Sequence, residues 1–207
     1  MIGCLAYLYI HVISVRNIDE VTEKIKGTIN KEYEINQLVK EANVSDTIIN
    51  KLRLADKNAE RQEYLQAITL YKSCLEGFNA SDDETRAKLL TCYFMNGDFE
   101  NAIEHGDQLQ SSPLFKNSPL KVYYAWALSY MDNEEKARET FESMNTRYSN
   151  FPQRIEFAKY LIDQGDTHES SELLSEMINE IKSMDRTEQR NKSGILKQVK
   201  ALYKSVS

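Results

Sequence analysis

The sequence is poor in the residues that make turns, staples and metal sites. It has 7 Gly and 3 Pro among 207 residues. An all-β fold needs many tight turns and draws on both residues for them, so their scarcity favours helices. The three cysteines, Cys4, Cys74 and Cys92, are odd in number and far apart, which excludes a disulfide framework and a zinc knuckle. Cys74 and Cys92 lie among apolar residues, where a free Cys acts as a small hydrophobe, so a reducing compartment such as the cytoplasm is expected. The histidines His11, His105 and His168 have no second His or Cys at ligand spacing. Neither a Gly-rich phosphate loop nor a nucleophile elbow occurs. The expectation is therefore no enzyme, no metal, no cofactor and no small-molecule substrate.

Basic charge is also in deficit. The net charge is −6, and an acidic chain repels phosphate backbones, which argues against nucleic-acid binding. The deficit is uneven. From Lys182 onward seven basic residues stand against two acidic ones, so this tail is +5 and the remainder −11. A solvated helix face explains such a tail, and so does contact with an anionic lipid surface or an acidic partner.

No apolar run reaches the ~20 residues that span a bilayer. The longest, MIGCLAYLYIHVISV at residues 1–15, lacks the basic leader and the small-residue cleavage site of a signal peptide. It reads as a buried N-terminal helix or as the trailing part of a membrane segment. In the second case Arg16, Lys24, Lys26 and Lys31 place the segment after the run on the cytoplasmic side.

What the chain does have is an internal period. Ala67, Ala102 and Ala137 recur at intervals of 35 residues, and Ser170 comes 33 later. Each sits in a similar segment: EYLQAITLYKSCL, DFENAIEHGDQL, NEEKARETFESM and GDTHESSELLSEMI. Upstream pairs move in step, namely Leu54-Ala55, Leu89-Leu90, Tyr124-Ala125 and Phe157-Ala158. Gly97-Asp98 and Gly165-Asp166 supply a helix-ending Gly and a capping Asp before the second helix. A period near 34 residues marks paired helices stacked in an array.

These residues resemble the tetratricopeptide repeat (TPR) family over about 46–183, most clearly in KLLTCYFMNGDFENAI. Departures from the pattern are Gln62 for Gly, Asn58 for an aromatic, no turn Gly in the third repeat, and Ser170 for Ala. The resemblance implies an all-α, right-handed superhelix of antiparallel helix pairs at 46–79, 84–112, 119–149 and 152–183. A capping helix is expected within 184–207, at about 188–205. A short helix at 31–42 is expected within a polar linker, 16–45.

The stretch Ile2-Gly3-Cys4-Leu5-Ala6-Tyr7-Leu8-Tyr9 resembles the second segment of the phospholipase-D-nuclease N-terminal membrane hairpin. That resemblance implies a bacterial membrane anchor whose first helix lies upstream of Met1. Phospholipase-D catalysis needs a Lys two residues after a His. Here Ile13, Asp107 and Ser170 hold those places, so the anchor would carry a non-catalytic body.

The function expected is a protein-interaction scaffold tethered to the cytoplasmic face of a membrane, with a protein partner of unknown identity. The alternative is a soluble regulatory or assembly factor that uses its N-terminal run for packing or homo-oligomerisation. By repeat alignment the concave face carries Leu52, Asp56 and Ala59; Ala87, Thr91, Phe94 and Met95; Val122, Trp126 and Tyr130; Ile155, Lys159 and Ile162. Phe94, Trp126, Tyr130 and Lys159 are the expected partner-binding residues, because polar-tipped aromatics are enriched at hot spots. Recognition of a C-terminal carboxylate, as in chaperone-binding members, needs paired cations, and only Lys159 is present.

Overall fold

The structure is a computed structural model that describes residues 32–76, 81–116 and 118–206. The apolar run at 1–15 and its proposed anchor lie outside them. Every regular element among the described residues is a helix, as the spacing predicts. The chain divides into two compact units within one helix, after Leu70.

The first unit holds α1 (residues 32–44), α2 (Ile48–Glu60) and the start of α3 (Tyr64–Cys74). Thr47 caps α2, its hydroxyl accepting from the Asn50 amide. That satisfies a donor the helix start leaves orphaned. Ion pairs Lys57–Glu34 (2.8 Å) and Arg53–Glu41 (2.8 Å) tie α1 to α2. Among the described residues of this unit, Leu38, Leu54, Ala55, Ala67 and Ile68 are the buried apolar ones.

The second unit contains the end of α3 and three further helix pairs. These are α4 (Asp83–Met95) with α5 (Phe99–Gln108), α6 (Pro119–Tyr130) with α7 (Glu134–Glu142), and α8 (Phe151–Asp163) with α9 (Thr167–Ser183). Two helices close the chain where one was expected: α10 (Arg186–Asn191) and α11 (Ser193–Val206). The break falls at Lys192, the C-cap of α10. Lys192 does not join the solvated lysines of α11; its ammonium lies 5.0 Å from the centre of the Phe151 ring. Val199 of α11 is buried, and Ile195, Leu196, Leu202, Tyr203 and Val206 pack half-buried on the core. An array ends in this way, one face apolar and the other solvated.

One local motif repeats four times. The amides of Glu63, Asp98, Asn133 and Asp166 donate to the carbonyls of Asn58, Tyr93, Leu128 and Leu161, each five residues back. This is the Schellman arrangement that ends a helix, and it needs a left-handed residue just before the donor. Gln62 (φ 63°), Gly97 (φ 79°), Asp132 (φ 56°) and Gly165 (φ 83°) occupy that place. The first and third repeats therefore keep the turn without its glycine.

Candidate functional site

The first helices of successive pairs in the second unit present one stripe each to a shared groove. Asp82 caps α4 through the Thr85 amide, and Ser118 caps α6 through the Leu120 amide, with Pro119 opening the helix. On α6, Val122, Trp126 and Tyr130 recur every fourth residue, so they share one face. Tyr124, Ala125, Ala127 and Leu128 are buried on the other faces. On α4, Phe94 near the C-terminus reaches the same groove. On α8, Pro152, Gln153 and Glu156 form the far wall. The groove encloses about 490 Å³.

Its floor is a strip of aromatic rings. The Phe94 ring centre lies 5.0 Å from Tyr123 and 6.3 Å from Tyr130. Tyr130 continues to Phe99 at 4.7 Å and to Trp126 at 5.7 Å. Trp126 has two environments. Phe141 and Tyr160 approach it nearly at right angles, at 5.5 and 6.1 Å, and both are core residues. It also lines the groove, so it is half core and half site.

The indole N–H of Trp126 donates to Glu156 Oε2 at 3.3 Å. Lys159 Nζ donates to Glu156 Oε1 at 2.7 Å. Of the four residues expected to bind a partner, the structure brings Phe94, Trp126 and Tyr130 into one groove. Lys159 lines the neighbouring groove between α8 and α11, which shares Pro152 and Glu156 with the first. It reaches the first groove only through Glu156, because it sits three residues further along α8. Ala87, aligned to the concave face in sequence, is buried in the core instead. Tyr123 and Glu156 are lining residues that repeat alignment passed over. Tyr123 precedes the buried Tyr124, and Glu156 looks in sequence like one more solvated acid on a helix.

Several ionisable groups away from the groove are held by the fold itself. Burial pushes the Tyr124 phenol up to about 12, helped by its hydrogen bond to Asp107. Lys136 also reaches Asp107, at 2.8 Å, linking α5, α6 and α7. His105 stacks on Tyr93 at 5.4 Å, and burial lowers its pKa below the usual His value, favouring the neutral ring. His168 is exposed beside Glu172. Among the described residues no group of three His, Cys, Asp or Glu side chains could hold a metal ion.

Solved structures share this fold. YrrB, a TPR protein with an unusual peptide-binding site, superposes with a TM-score of 0.55 at 13% identity, over 69% of this chain and 74% of that one. MamA gives 0.54 at 17% identity, over 77% and 89%. The nearly identical TPR-like repeats of a kinesin light chain from P. anserina give 0.54 at 17%, over 75% and 94%. No family model matches the sequence, and no curated protein matches it. At these identities the likeness defines the fold, a TPR-type array of helix pairs.

Proposed function

We propose that this chain is a non-catalytic protein-interaction scaffold that holds a peptide or helix of a partner protein in the groove across α4, α6 and α8. The observation that carries the reading is the aromatic strip. Phe94, Tyr123, Trp126 and Tyr130 come from two successive first helices and line one open groove. Tyr130 is 53% exposed and continuous with the rings of Phe94, Phe99 and Trp126, and a contiguous apolar patch of this kind marks interaction sites. Large rings bury much area at small entropic cost, and a few of them dominate most interfaces. The fold shared with YrrB, itself a TPR protein with a peptide-binding site, is consistent with such use of the groove.

The test is affinity capture with the wild-type chain and with Tyr130→Ala and Trp126→Ala. A hot-spot aromatic lost to Ala costs on the order of 2 kcal/mol, about 30-fold in affinity. A captured protein should therefore be lost from a folded Tyr130→Ala variant. Full retention of every partner by folded variants would overturn the site.

The same reading tethers the scaffold through residues 1–15, with the repeats on the cytoplasmic side. It rests on the apolar run and the basic residues behind it. No helix among the described residues is long and apolar enough to cross a membrane. Membrane fractionation of the full chain decides this. Retention through a salt wash supports the tether. Release by salt, with self-association that depends on residues 1–15, supports the oligomerisation alternative.

A further inference from the structure

We infer that the groove selects a segment carrying a basic side chain, arginine in preference to lysine, which lies over the Trp126–Tyr130 strip and meets the Glu156 carboxylate. This rests on the proposed groove and adds the chemistry of its ligand. Glu156 is the one lining residue with a formal charge at neutral pH; the others are aromatic, apolar or, in Gln153, neutral. An anionic ligand, including a C-terminal carboxylate, would meet a single cation here, Lys159, which is already held by Glu156 at 2.7 Å. The wider field has the same sign. The second unit as a whole, residues 71–207, holds twenty-two acidic residues against seventeen basic ones. That field draws a cationic segment in and repels an acidic one.

The local geometry suits a guanidinium. Ring faces carry negative quadrupoles that attract cations. The Trp126 and Tyr130 rings are stacked with planes only 24° apart, so they do not form a box of perpendicular walls. A flat guanidinium stacks on a strip better than a tetrahedral ammonium, and its fork matches a carboxylate. Glu156 has acceptor capacity left. It takes one long bond from Trp126 and one from Lys159, whereas a carboxylate accepts about four. Its ion pair with Lys159 is an exposed pair within one helix, of the kind that is cheaply shared or exchanged.

The test uses a phage-displayed random heptapeptide library on the immobilised full chain, with Tyr130→Ala and Glu156→Gln as comparison surfaces. Circular dichroism first shows that both variants keep the helical signal. The expected result is enrichment of peptides that place Arg near an aromatic or aliphatic residue, on the wild type and not on Tyr130→Ala. A synthetic peptide from that pool is then compared with its Arg-to-citrulline analogue, using fluorescence of Trp126, the single Trp of the chain. Citrulline should weaken binding about tenfold on the wild type, the scale of a desolvated cation on a ring. On Glu156→Gln that penalty should shrink, because the carboxylate's share is gone and the rings' share remains. Peptides that need Tyr130 but carry no basic residue, or that bind equally with citrulline, overturn the cation and leave the groove. Enrichment of acidic peptides overturns the sign of the inference. Enrichment indifferent to Tyr130→Ala, or none, removes the groove itself.

Discussion

Glu180 and Glu156 both meet side chains of α8, and their surroundings differ at almost every point. Glu180, on α9, is 1% exposed and faces Arg154, which is fully buried. Arg154 donates to both its oxygens, at 2.6 and 3.3 Å, and the Tyr148 amide and Arg147 add bonds of 2.9 and 3.3 Å. Every strong acceptor position is taken, and the loop from α7 to α8 bends through left-handed Tyr148 and Asn150 beside it. Glu156 has two donors and a side chain 30% exposed at the edge of a groove. A saturated, buried carboxylate fixes how α8 and α9 pack. An unsaturated one beside exposed rings is free to meet something else.

The largest effect is expected at the saturated site. Glu180→Gln leaves the Arg154 guanidinium buried with one charged neighbour, Glu176 at 3.5 Å. Breaking a buried pair by removing one partner costs about 3 kcal/mol or more. Urea unfolding should show that loss. The pH dependence comes from the same contacts. Burial alone would raise the Glu180 carboxyl, but Arg154, the Tyr148 amide and Arg147 outweigh it and hold its pKa below the ordinary Glu value of 4.5. In the unfolded chain the group titrates at the ordinary value. Its contribution is therefore complete above that value and disappears as pH falls through the lower, folded one. Thermal melts from neutral to acid pH should fall off along this limb, and Glu180→Gln should flatten it. An unchanged acid limb in the variant would show that other carboxylates set it.

Periodic small residues made the fold legible, while individual charges were not. Ala67, Ala102, Ala137 and Ser170 are all fully buried, because each marks where two helices touch. Ser170 keeps the place by donating its hydroxyl to the Ala158 carbonyl at 2.9 Å. The turns at Gln62 and Asp132 looked like departures, since sequence records residue type and not backbone angle. The surrounding Schellman hydrogen bonds impose the left-handed angle in spite of the side chain. Three groove aromatics could be read from repeat alignment. Glu156, Glu180 and Arg154 could not, because an acid or an Arg on an amphipathic helix reads as solvated unless its partner, 26 residues away for Arg154–Glu180, is known. The separation of Lys159 from the groove was hidden for a related reason. One turn of helix decides which of two adjacent grooves a long side chain enters.

An intermediate effect is expected at the close approach of α5 and α6. At Gly106 on α5 an added Cβ would lie 2.2 Å from Cδ2 of the Tyr124 ring. That ring is almost wholly buried, and its hydroxyl is held by Asp107. It has no room to retreat, so Gly106→Ala should cost about 1–3 kcal/mol through overpacking. Gly194 on α11 meets nothing within 4 Å, and Ala there should be neutral or mildly stabilising. Chemical denaturation of the two variants side by side checks the contrast. Equal stabilities would mean that α5 and α6 slide apart easily.

The smallest effect should come from Glu156→Gln, the same chemical change as Glu180→Gln with the opposite surroundings. The Gln carbonyl still accepts from the Trp126 indole, so no buried donor is orphaned. What goes is the ion pair with Lys159, whose side chain is 49% exposed. Pairs of that kind contribute about 0–1 kcal/mol, with helical neighbours three or four residues apart at the lower end. The expected change in unfolding free energy is about 0.5 kcal/mol or less, and it should shrink further at high salt as screening weakens the pair. Urea melts of the two Glu→Gln variants at low and high ionic strength make the comparison direct. A loss at Glu156 as large as at Glu180 would mean that the groove carboxylate holds α6 to α8 as a structural strut. It could then not turn to a ligand, and the groove would have to recognise its partner by its rings alone.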